Sequence, residues 1–256
     1  MTPDRFAEHV DALRDAGWRT VTVTEAVDHL AARGVPPSKL VALTFDDGFA
    51  DFADRALPVL HARRAAATLY VPTAYVGRAA AWLDAPDAHR PILSWAALAD
   101  VHATGVEIGS HGHDHVPLDL AGWAAGVEDM VRSRVLLEER LATPVTSVAY
   151  PYGYQGQRAR RAAVAAGFQS ACAVIGLPAT NRDHRFALPR LAAQQHLDGA
   201  RLVRLVERRY AAAERMWRLG KQTVWGIARR ARLVGPRPAS NAPLEHPVPY
   251  RGGAGR

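Results

Sequence analysis

The sequence predicts an α/β protein with a mostly parallel sheet that closes in a barrel-like way. Short apolar segments alternate with helical patterns six or seven times along the 256 residues, which is typical of consecutive βαβ units. One segment, 39–45, is apolar almost throughout, as in a strand covered on both faces. Three such segments are followed directly by reactive side chains, at the strand ends where parallel sheets hold their sites.

The N-terminal part of the chain predicts a helix, a strand and a second helix before segment 39–45. Apolar spacing indicates an amphipathic helix over 3–16, with Thr2 as its cap. A strand is expected over 20–23. Thr24 is expected to cap a helix over 25–32, which ends before a glycine and a pair of prolines.

The same alternation continues to residue 192. Helices are expected over 52–64, 95–103, 121–141 and 157–166, and strands over 67–71, 106–108, 147–150, 170–174 and 187–192. Ser94 is the expected cap of the helix at 95, and the stretch 72–91 carries no regular pattern. Residues 1–199 are therefore predicted to form one domain.

Composition excludes several classes of protein. The single cysteine, Cys172, excludes a disulfide scaffold and a zinc module with several cysteines. No run of about 18 apolar residues predicts a membrane-spanning helix, and the N-terminus lacks the apolar region of a secretory signal. We therefore expect a soluble, cytoplasmic protein.

The net charge of +7 is concentrated near the C-terminus. Residues 1–200 carry 19 Lys and Arg against 22 Asp and Glu, whereas residues 201–256 carry 13 against 3. Because the main body is mildly acidic, no nucleic-acid partner is expected.

The basic region divides into a predicted amphipathic helix over 200–234 and a predicted disordered tail over 235–256. The helix either covers the open edge of the barrel with a solvated outer face, or contacts an anionic membrane surface through its basic face, Trp217 and Trp225. Loss of liposome flotation in a chain ending near Gly199 would indicate the membrane role, and unchanged flotation would exclude it.

The first reactive segment is Thr44–Gly48, with the sequence Thr-Phe-Asp-Asp-Gly. Adjacent carboxylates repel each other unless a cation or hydrogen bonds hold them. Because neighbouring side chains of a strand point to opposite faces, one of Asp46 and Asp47 could bind a metal while the other acts as a base. An exposed turn is the alternative.

The second segment, 107–115, places His111, His113 and His115 directly after a strand. Two imidazoles and one carboxylate leave an open coordination position, as in hydrolytic zinc sites. The alternative is a solvated loop. The third segment, 148–154, is rich in tyrosine and could stack on sugar rings or simply pack at the rim of the barrel.

Together and in this order, the three segments resemble the polysaccharide deacetylase family, the NodB-homology domain of carbohydrate esterase family 4. The first motif is unaltered, and His111 and His115 match a His-(Ser/Thr)-x-x-His motif with Gly112 in place of the hydroxyl residue. Tyr150-Pro151-Tyr152 resembles the third motif, Arg-x-Pro-Tyr. The resemblance implies a distorted (β/α)7 barrel and metal-dependent removal of acetyl groups from a saccharide.

Each role below is implied by that resemblance. Asp47, His111 and His115 would bind a divalent metal, with zinc as the expected ion, although such a site accepts several ions. Asp46 would be the base that deprotonates a metal-bound water, and the backbone N–H of Tyr152 would stabilise the oxyanion. Tyr150, Pro151 and Tyr152 would contact the substrate. His113 is not expected to be a ligand.

The chain departs from the family pattern in two places. The third-motif arginine is missing, and Arg190, at the end of the last predicted strand, could reach back to Asp46 in its place. No late motif for a general acid is recognisable, and His184 and His196 are the only late histidines of the body. Without a strong acid, esters should be cleaved more readily than amides.

The leading interpretation is an N-acetyl sugar deacetylase. The alternatives are an O-deacetylase, a hydrolase of non-sugar amides on the same scaffold, and a non-catalytic carbohydrate-binding relative. Retention of all four polar residues of the first two motifs argues against the last alternative.

Overall fold

The computed structural model describes residues 1–32, 39–208 and 220. The strands of this part of the chain are β1 Arg19–Val21, β2 Leu40–Ala42, β3 Thr44–Phe45, β4 Thr68–Val71, β5 Glu107–Ser110, β6 Ser147–Ala149, β7 Ser170–Val174 and β8 Leu188–Arg190. The α-helices are α1 Pro3–Asp15, α2 Val23–Ala31, α3 Leu57–Arg63, α4 Trp95–Ala103, α5 Trp123–Leu141, α6 Gln157–Ala165 and α7 Gly199–Glu207. Shorter turns are a π-helix at Phe52–Ala56 and 3-10 helices at Thr73–Tyr75, Asp87–His89 and Pro151–Gly153.

The predicted parallel architecture is confirmed. Six strands pair in chain order from β3 to β8, and every ladder is parallel. Strands β1 and β2 form a separate parallel pair. Over the described residues, no ladder joins β8 to β1 or to β3, so the sheet is a partial barrel with an open seam.

The apolar segment 39–45 differs from its prediction because it changes sheets within six residues. Its first part, β2, pairs with β1, whereas β3 pairs with β4. The carbonyl of Leu43, at the junction, accepts a hydrogen bond from the Thr68 backbone N–H at 2.9 Å. Counted as one position in the barrel, β2 and β3 bring the total to the seven strands that the family resemblance implies.

The start of the second helix is corrected by two residues. Thr22, not Thr24, is its cap, because Glu25 stands three residues later and completes a capping box with Thr22. The hydroxyl of Thr24 instead donates to Glu107, and the carboxylate of Glu107 also accepts the backbone N–H groups of Val23 and Thr24 at 2.9 and 3.3 Å. This end of the sheet is therefore tied to α2 by one partly buried carboxylate.

Strand residues alternate between two apolar faces. One cluster joins Tyr70, Ala149, Cys172 and Leu188 from four strands to α2, and a larger cluster fills the opposite face beneath the other helices. Because both faces of the sheet are covered, the strand segments of the sequence are apolar almost throughout. Their carboxyl ends are the part of the sheet that remains available for polar chemistry.

The C-terminal helix begins within one residue of its predicted start but ends at Glu207, where Arg208 is extended, so the predicted helix over 200–234 does not continue unbroken. Most of that segment and all of the tail 235–256 lie outside the described residues. Helix α7 packs on α1, and the Gly199 backbone N–H donates to Glu8 at 2.8 Å. Among the helices described, none has the length and apolar character needed to cross a lipid bilayer. The domain limits, the membrane contact and the cytoplasmic location stay predictions.

Candidate active site

The carboxyl ends of three strands bring predicted site residues together. Asp46 and Asp47 follow β3, His111 follows β5, and Arg190 ends β8. These strands are far apart in the chain, and in the sheet β4 separates β3 from β5 while β3 and β8 are the two edge strands. The parallel register therefore assembles the site from distant segments.

Asp46 and Asp47 point to different partners, as the sequence predicts. The backbone leaves β3 through two consecutive left-handed residues, Asp47 at φ 73° and Gly48 at φ 66°. Aspartate tolerates this region better than most residues, and backbone strain of this kind is common at functional sites. The turn aims Asp47 at the histidines and leaves Asp46 beside Arg190.

Asp47, His111 and His115 form a compact cluster of ligating atoms. The Asp47 Oδ1 lies 3.3 Å from the Nε2 of His111 and 3.2 Å from the Nε2 of His115. One ligating atom from each residue lies within 4.8 Å of the other two. Both histidines are buried, whereas Asp47 remains partly open to solvent.

The donor chemistry of this cluster fits a divalent cation. The Nδ1–H of His111 donates to the Ala149 carbonyl at 2.7 Å, so in a neutral ring the Nε2 lone pair faces the Asp47 carboxylate. Two acceptors at this distance require a proton or a cation between them. A carboxylate with two imidazoles, one of them oriented by a backbone carbonyl, is a typical zinc-binding arrangement.

Burial and neighbouring charges act in opposite directions on the pKa values of the three cluster residues. Burial alone would raise the pKa of Asp47, but hydrogen bonds from His111 and His115 hold it well below its usual range. Burial alone would lower the pKa of His111, but the charges of Asp46 and Asp47 raise it. For His115, burial outweighs Asp47 and lowers the pKa, so this ring is more readily neutral.

Asp46 is held by the arginine that the sequence proposes as a replacement. The Nη1 and Nη2 of Arg190 donate to the Oδ1 and Oδ2 of Asp46, each at 2.7 Å, and Nη1 also reaches the Thr44 hydroxyl at 3.2 Å. Burial alone would raise the pKa of Asp46, but the positive charge of Arg190 lowers it. Asp46 is thus an ionised carboxylate that does not bind the histidine cluster directly.

The third segment needs a correction. The side chain of Tyr150 is fully buried and its hydroxyl donates to the Phe186 carbonyl at 2.9 Å, so its ring packs in the core rather than against a ligand. Pro151 is also buried. Tyr152 keeps its predicted position: its ring is half-buried and lies 4.9 Å from the His115 ring.

The remaining histidines stand apart from the cluster. The Nδ1 of His113 lies 2.7 Å from the Thr73 hydroxyl, and His113 is not among the three residues whose ligating atoms lie close together. The Nδ1 of His184 accepts the Phe186 backbone N–H at 3.1 Å, and the side chain of His184 is exposed. His196 is exposed as well.

Two aromatic residues at the site were missed by sequence reasoning. Trp82 stacks on the His115 ring with centroids 4.4 Å apart, and Tyr75 meets Trp82 edge-on at 4.6 Å. Among the described residues, no protein atom forms a hydrogen bond with the Nδ1 of His115. Ring stacking therefore supports this side chain. Both aromatics lie in the irregular stretch 72–91, and their position just beyond β4 was the available signal.

Comparison with known proteins identifies the class. The family model described as polysaccharide deacetylase matches residues 33–171, more than half of the chain. The chain therefore belongs to the polysaccharide deacetylase family, a class of hydrolases that act on carbon–nitrogen bonds.

Individual relatives agree with this assignment. The putative polysaccharide deacetylase YxkH of Bacillus subtilis (strain 168) is 26% identical over 195 residues, which cover 76% of this chain and 66% of that relative. The structure of IcaB from Ammonifex degensii matches with a TM-score of 0.70 and 27% identity, over 81% of this chain and 90% of that one. The Streptococcus pyogenes deacetylase PplD, in complex with acetate, shares the fold with a TM-score of 0.71 and 22% identity, over 80% and 87% of the two chains.

The cluster geometry predicts which histidine variants lose metal. His115→Ala should lower the affinity for Zn²⁺ by more than about 100-fold, because it removes one of the three ligating groups of the cluster rather than a supporting residue. His113→Gln, the matched control in the same loop, should lose no more than about tenfold. Competition with a chromophoric chelator measures both affinities. Equal losses in the two variants would contradict the assignment of ligands.

Proposed function

We propose that the protein hydrolyses acetyl groups of a polysaccharide at the site formed by Asp46, Asp47, His111, His115 and Arg190. The observation that carries the proposal is the separation of the two adjacent carboxylates. Asp47 lies against two imidazoles, and Asp46 is paired with Arg190. One carboxylate is thus arranged to hold a cation, and its neighbour is kept ionised beside it.

Asp47, His111 and His115 would hold the divalent ion. When bound, such an ion polarises the acetyl carbonyl and makes water more acidic, which a weak base such as Asp46 requires. The identity of the ion belongs to the proposal, with zinc favoured by two nitrogen ligands and one oxygen ligand.

Asp46 accepts the proton of the attacking water molecule. Both of its oxygens bond to Arg190, but each carboxylate oxygen has a second lone pair that can accept from water. Because Arg190 lowers the pKa of Asp46, the carboxylate is ready to accept a proton throughout the neutral range. Arg190 also fixes the plane of the carboxylate, so it acts as a positioning residue.

The Tyr152 backbone is suited to stabilise the oxyanion that forms on the acetyl oxygen. Tyr152 has a left-handed conformation, with φ 61° and ψ 5°. The two bonds that close this turn use other donors, since Gly153 N donates to the Tyr150 carbonyl and Tyr154 N to the Pro151 carbonyl. Among the described residues, none outside the turn accepts a hydrogen bond from the Tyr152 N–H, and we assign this donor to the substrate. A donor of this kind contributes about 3–4 kcal/mol to transition-state stabilisation.

Aromatic rings around the cluster are suited to sugar rings. Tyr152 stacks on Tyr154 with centroids 5.8 Å apart, and Trp82 and Tyr75 continue the aromatic surface on the other side of His115. Apolar ring faces beside a polar centre are typical of sites that bind and orient a carbohydrate. Substrate contact is assigned to Tyr152 and these neighbours rather than to Tyr150.

The acetyl linkage decides how much proton donation the reaction needs. Water adds to the carbonyl carbon and gives one proton to Asp46, the bond to nitrogen or oxygen breaks, and the leaving atom takes up one proton. The net products are acetic acid and the free amine or hydroxyl. An amine is the poorer leaving group, so an amide depends more strongly on a proton donor. The family assignment favours N-acetyl substrates, and O-acetyl substrates are the second candidate.

Acetate release from N- and O-acetylated glycans tests the function. The wild type should release acetate, a chelator should abolish the release, and added Zn²⁺ should restore it. Asp46→Asn should lower the rate by about 10²–10⁴-fold, because the amide cannot take the proton. Asp51→Asn is the matched control, because Asp51 is exposed and close in sequence. Like Asp46 it is paired with an arginine, with its Oδ2 3.7 Å from the Nη2 of Arg90.

Each contrary result has a distinct meaning. Release that survives the chelator would refute the metal dependence. A full rate in Asp46→Asn would refute its role as base. Absence of release from every glycan, with Zn²⁺ bound, would favour a non-sugar amide substrate, which a panel of cyclic amides and imides then tests, or a non-catalytic relative.

Arg190 sets the acidic limit of activity in this proposal. Arg190 lowers the pKa of Asp46 against the effect of burial, so removing its charge raises that pKa. Arg190→Gln should therefore shift the acidic limb of the kcat/KM profile to higher pH and reduce the rate at neutral pH. Arg185→Gln, at an exposed arginine in the connection that precedes β8, is the control. An acidic limb that stays in place in Arg190→Gln would contradict this role.

A further inference from the structure

The loop that carries the two histidine ligands is anchored from outside by a buried carboxylate on α5. Asp129 is only 7% exposed. Its Oδ2 accepts the backbone N–H of His113, and its Oδ1 accepts the backbone N–H of Asp114, both at 2.9 Å. Each carboxylate oxygen thus takes one donor from the middle of the loop.

The loop needs such an anchor because it is neither helix nor strand. Gly112 has a φ of 75° and His115 a φ of 53°, and these left-handed residues bring both Nε2 atoms back to the same oxygen of Asp47. A backbone of this shape has no regular ladder of its own, so its polar groups need partners elsewhere.

The carbonyls of the loop are bound on its other side. The backbone N–H groups of Thr73 and Ala74 donate to the carbonyls of Gly112 and His113 at 3.2 and 3.0 Å. The residues beyond β4 therefore hold acceptors of the loop, Asp129 holds the donors of its two central residues, and the Ser110 hydroxyl holds the Gly112 N–H at 3.1 Å. Removing Asp129 would leave the two central N–H groups of the loop without their acceptor.

Asp129 occupies the space beside Gly112 that a side chain at position 112 would need. A Cβ at this position would lie 2.7 Å from the Oδ2 of Asp129, so a side chain here would have to displace the carboxylate. The chain has glycine where the motif it resembles has a hydroxyl residue. In this protein the carboxylate occupies the space that a residue 112 side chain would enter.

We propose that Asp129 is a positioning residue that sets the metal affinity of the site by fixing the loop between His111 and His115. It acts through the backbone, without touching metal or substrate. The inference rests on the proposed function in one respect, namely that Asp47 and the two histidines hold a divalent ion. Outer partners of metal ligands typically contribute a factor of about 10–100 to affinity.

Glu107 provides a matched control on β5, the strand that leads into the histidine loop. It stands at the start of β5, whereas His111 follows the end of that strand. Like Asp129, Glu107 accepts two backbone N–H groups, those of Val23 and Thr24. Loss of either carboxylate should destabilise the fold, but only Asp129 is bonded to the loop that carries the ligands.

The experiment compares full-length wild type, Asp129→Asn, Asp129→Ala and Glu107→Gln. Competition with a chromophoric chelator gives the Zn²⁺ affinity, and thermal unfolding without metal gives the stability. Both Asp129 variants should bind Zn²⁺ about 10- to 100-fold more weakly. An asparagine keeps one acceptor but presents an NH₂ group to the second backbone N–H. Glu107→Gln should lower the unfolding temperature and leave the affinity within about twofold, since it does not contact the site.

The outcomes separate this inference from the proposed function. If the wild type binds no Zn²⁺, the proposed metal site fails. If the wild type binds and Asp129→Asn binds equally well, or if Glu107→Gln loses as much affinity, the role of Asp129 is refuted. Should both Asp129 variants fail to fold, Gly112→Ala tests the same contact from the loop, and unchanged Zn²⁺ affinity in that variant would overturn the inference.

Discussion

The site depends on keeping two adjacent carboxylates apart in a partly buried position. Two like charges 4 Å apart repel by about 4 kcal/mol at an effective dielectric constant of 20, so each needs its own positive partner. Asp46 takes a permanent charge from Arg190 through two 2.7 Å hydrogen bonds. Asp47 instead faces two imidazoles. They offer it a positive charge only when one of them is protonated or when a metal ion is bound between the three groups. This asymmetry separates the proposed base from the proposed ligand.

The rest of the fold serves that separation by bringing distant segments to one edge. Asp46 and Arg190 are 144 residues apart, and their contact exists because β3 and β8 lie on the two sides of the open seam. His111 is oriented by the carbonyl of Ala149, which ends the neighbouring strand β6. Parallel register therefore determines both the partner of the base and the orientation of one ligand.

The two histidines are supported by different kinds of contact. His111 donates a hydrogen bond to backbone, while His115 is held between aromatic rings, with Trp82 on one side and Tyr152 on another. Dispersion and ring stacking hold a ring less directionally than a hydrogen bond does. The bonds that Asp129 makes to the loop fix the backbone that carries His115. They therefore matter more for this ligand than for His111.

The sequence by itself determined the parallel α/β class and the residues of the cluster. Their positions after apolar strands made Asp46, Asp47 and the three histidines at 111, 113 and 115 candidates, because parallel strands share one functional edge. The resemblance to the family then separated the expected ligands and base from His113, and it suggested Arg190 as the replacement for the missing third-motif arginine. Tyr150 could not be distinguished from Tyr152, because only the packed sheet turns one ring into the core and leaves the other at the site. The positions of Asp129 and Trp82 were likewise decided by the tertiary structure. Neither residue lies in a motif or a periodic pattern that links it to the histidines, and only the packing of the chain brings them together.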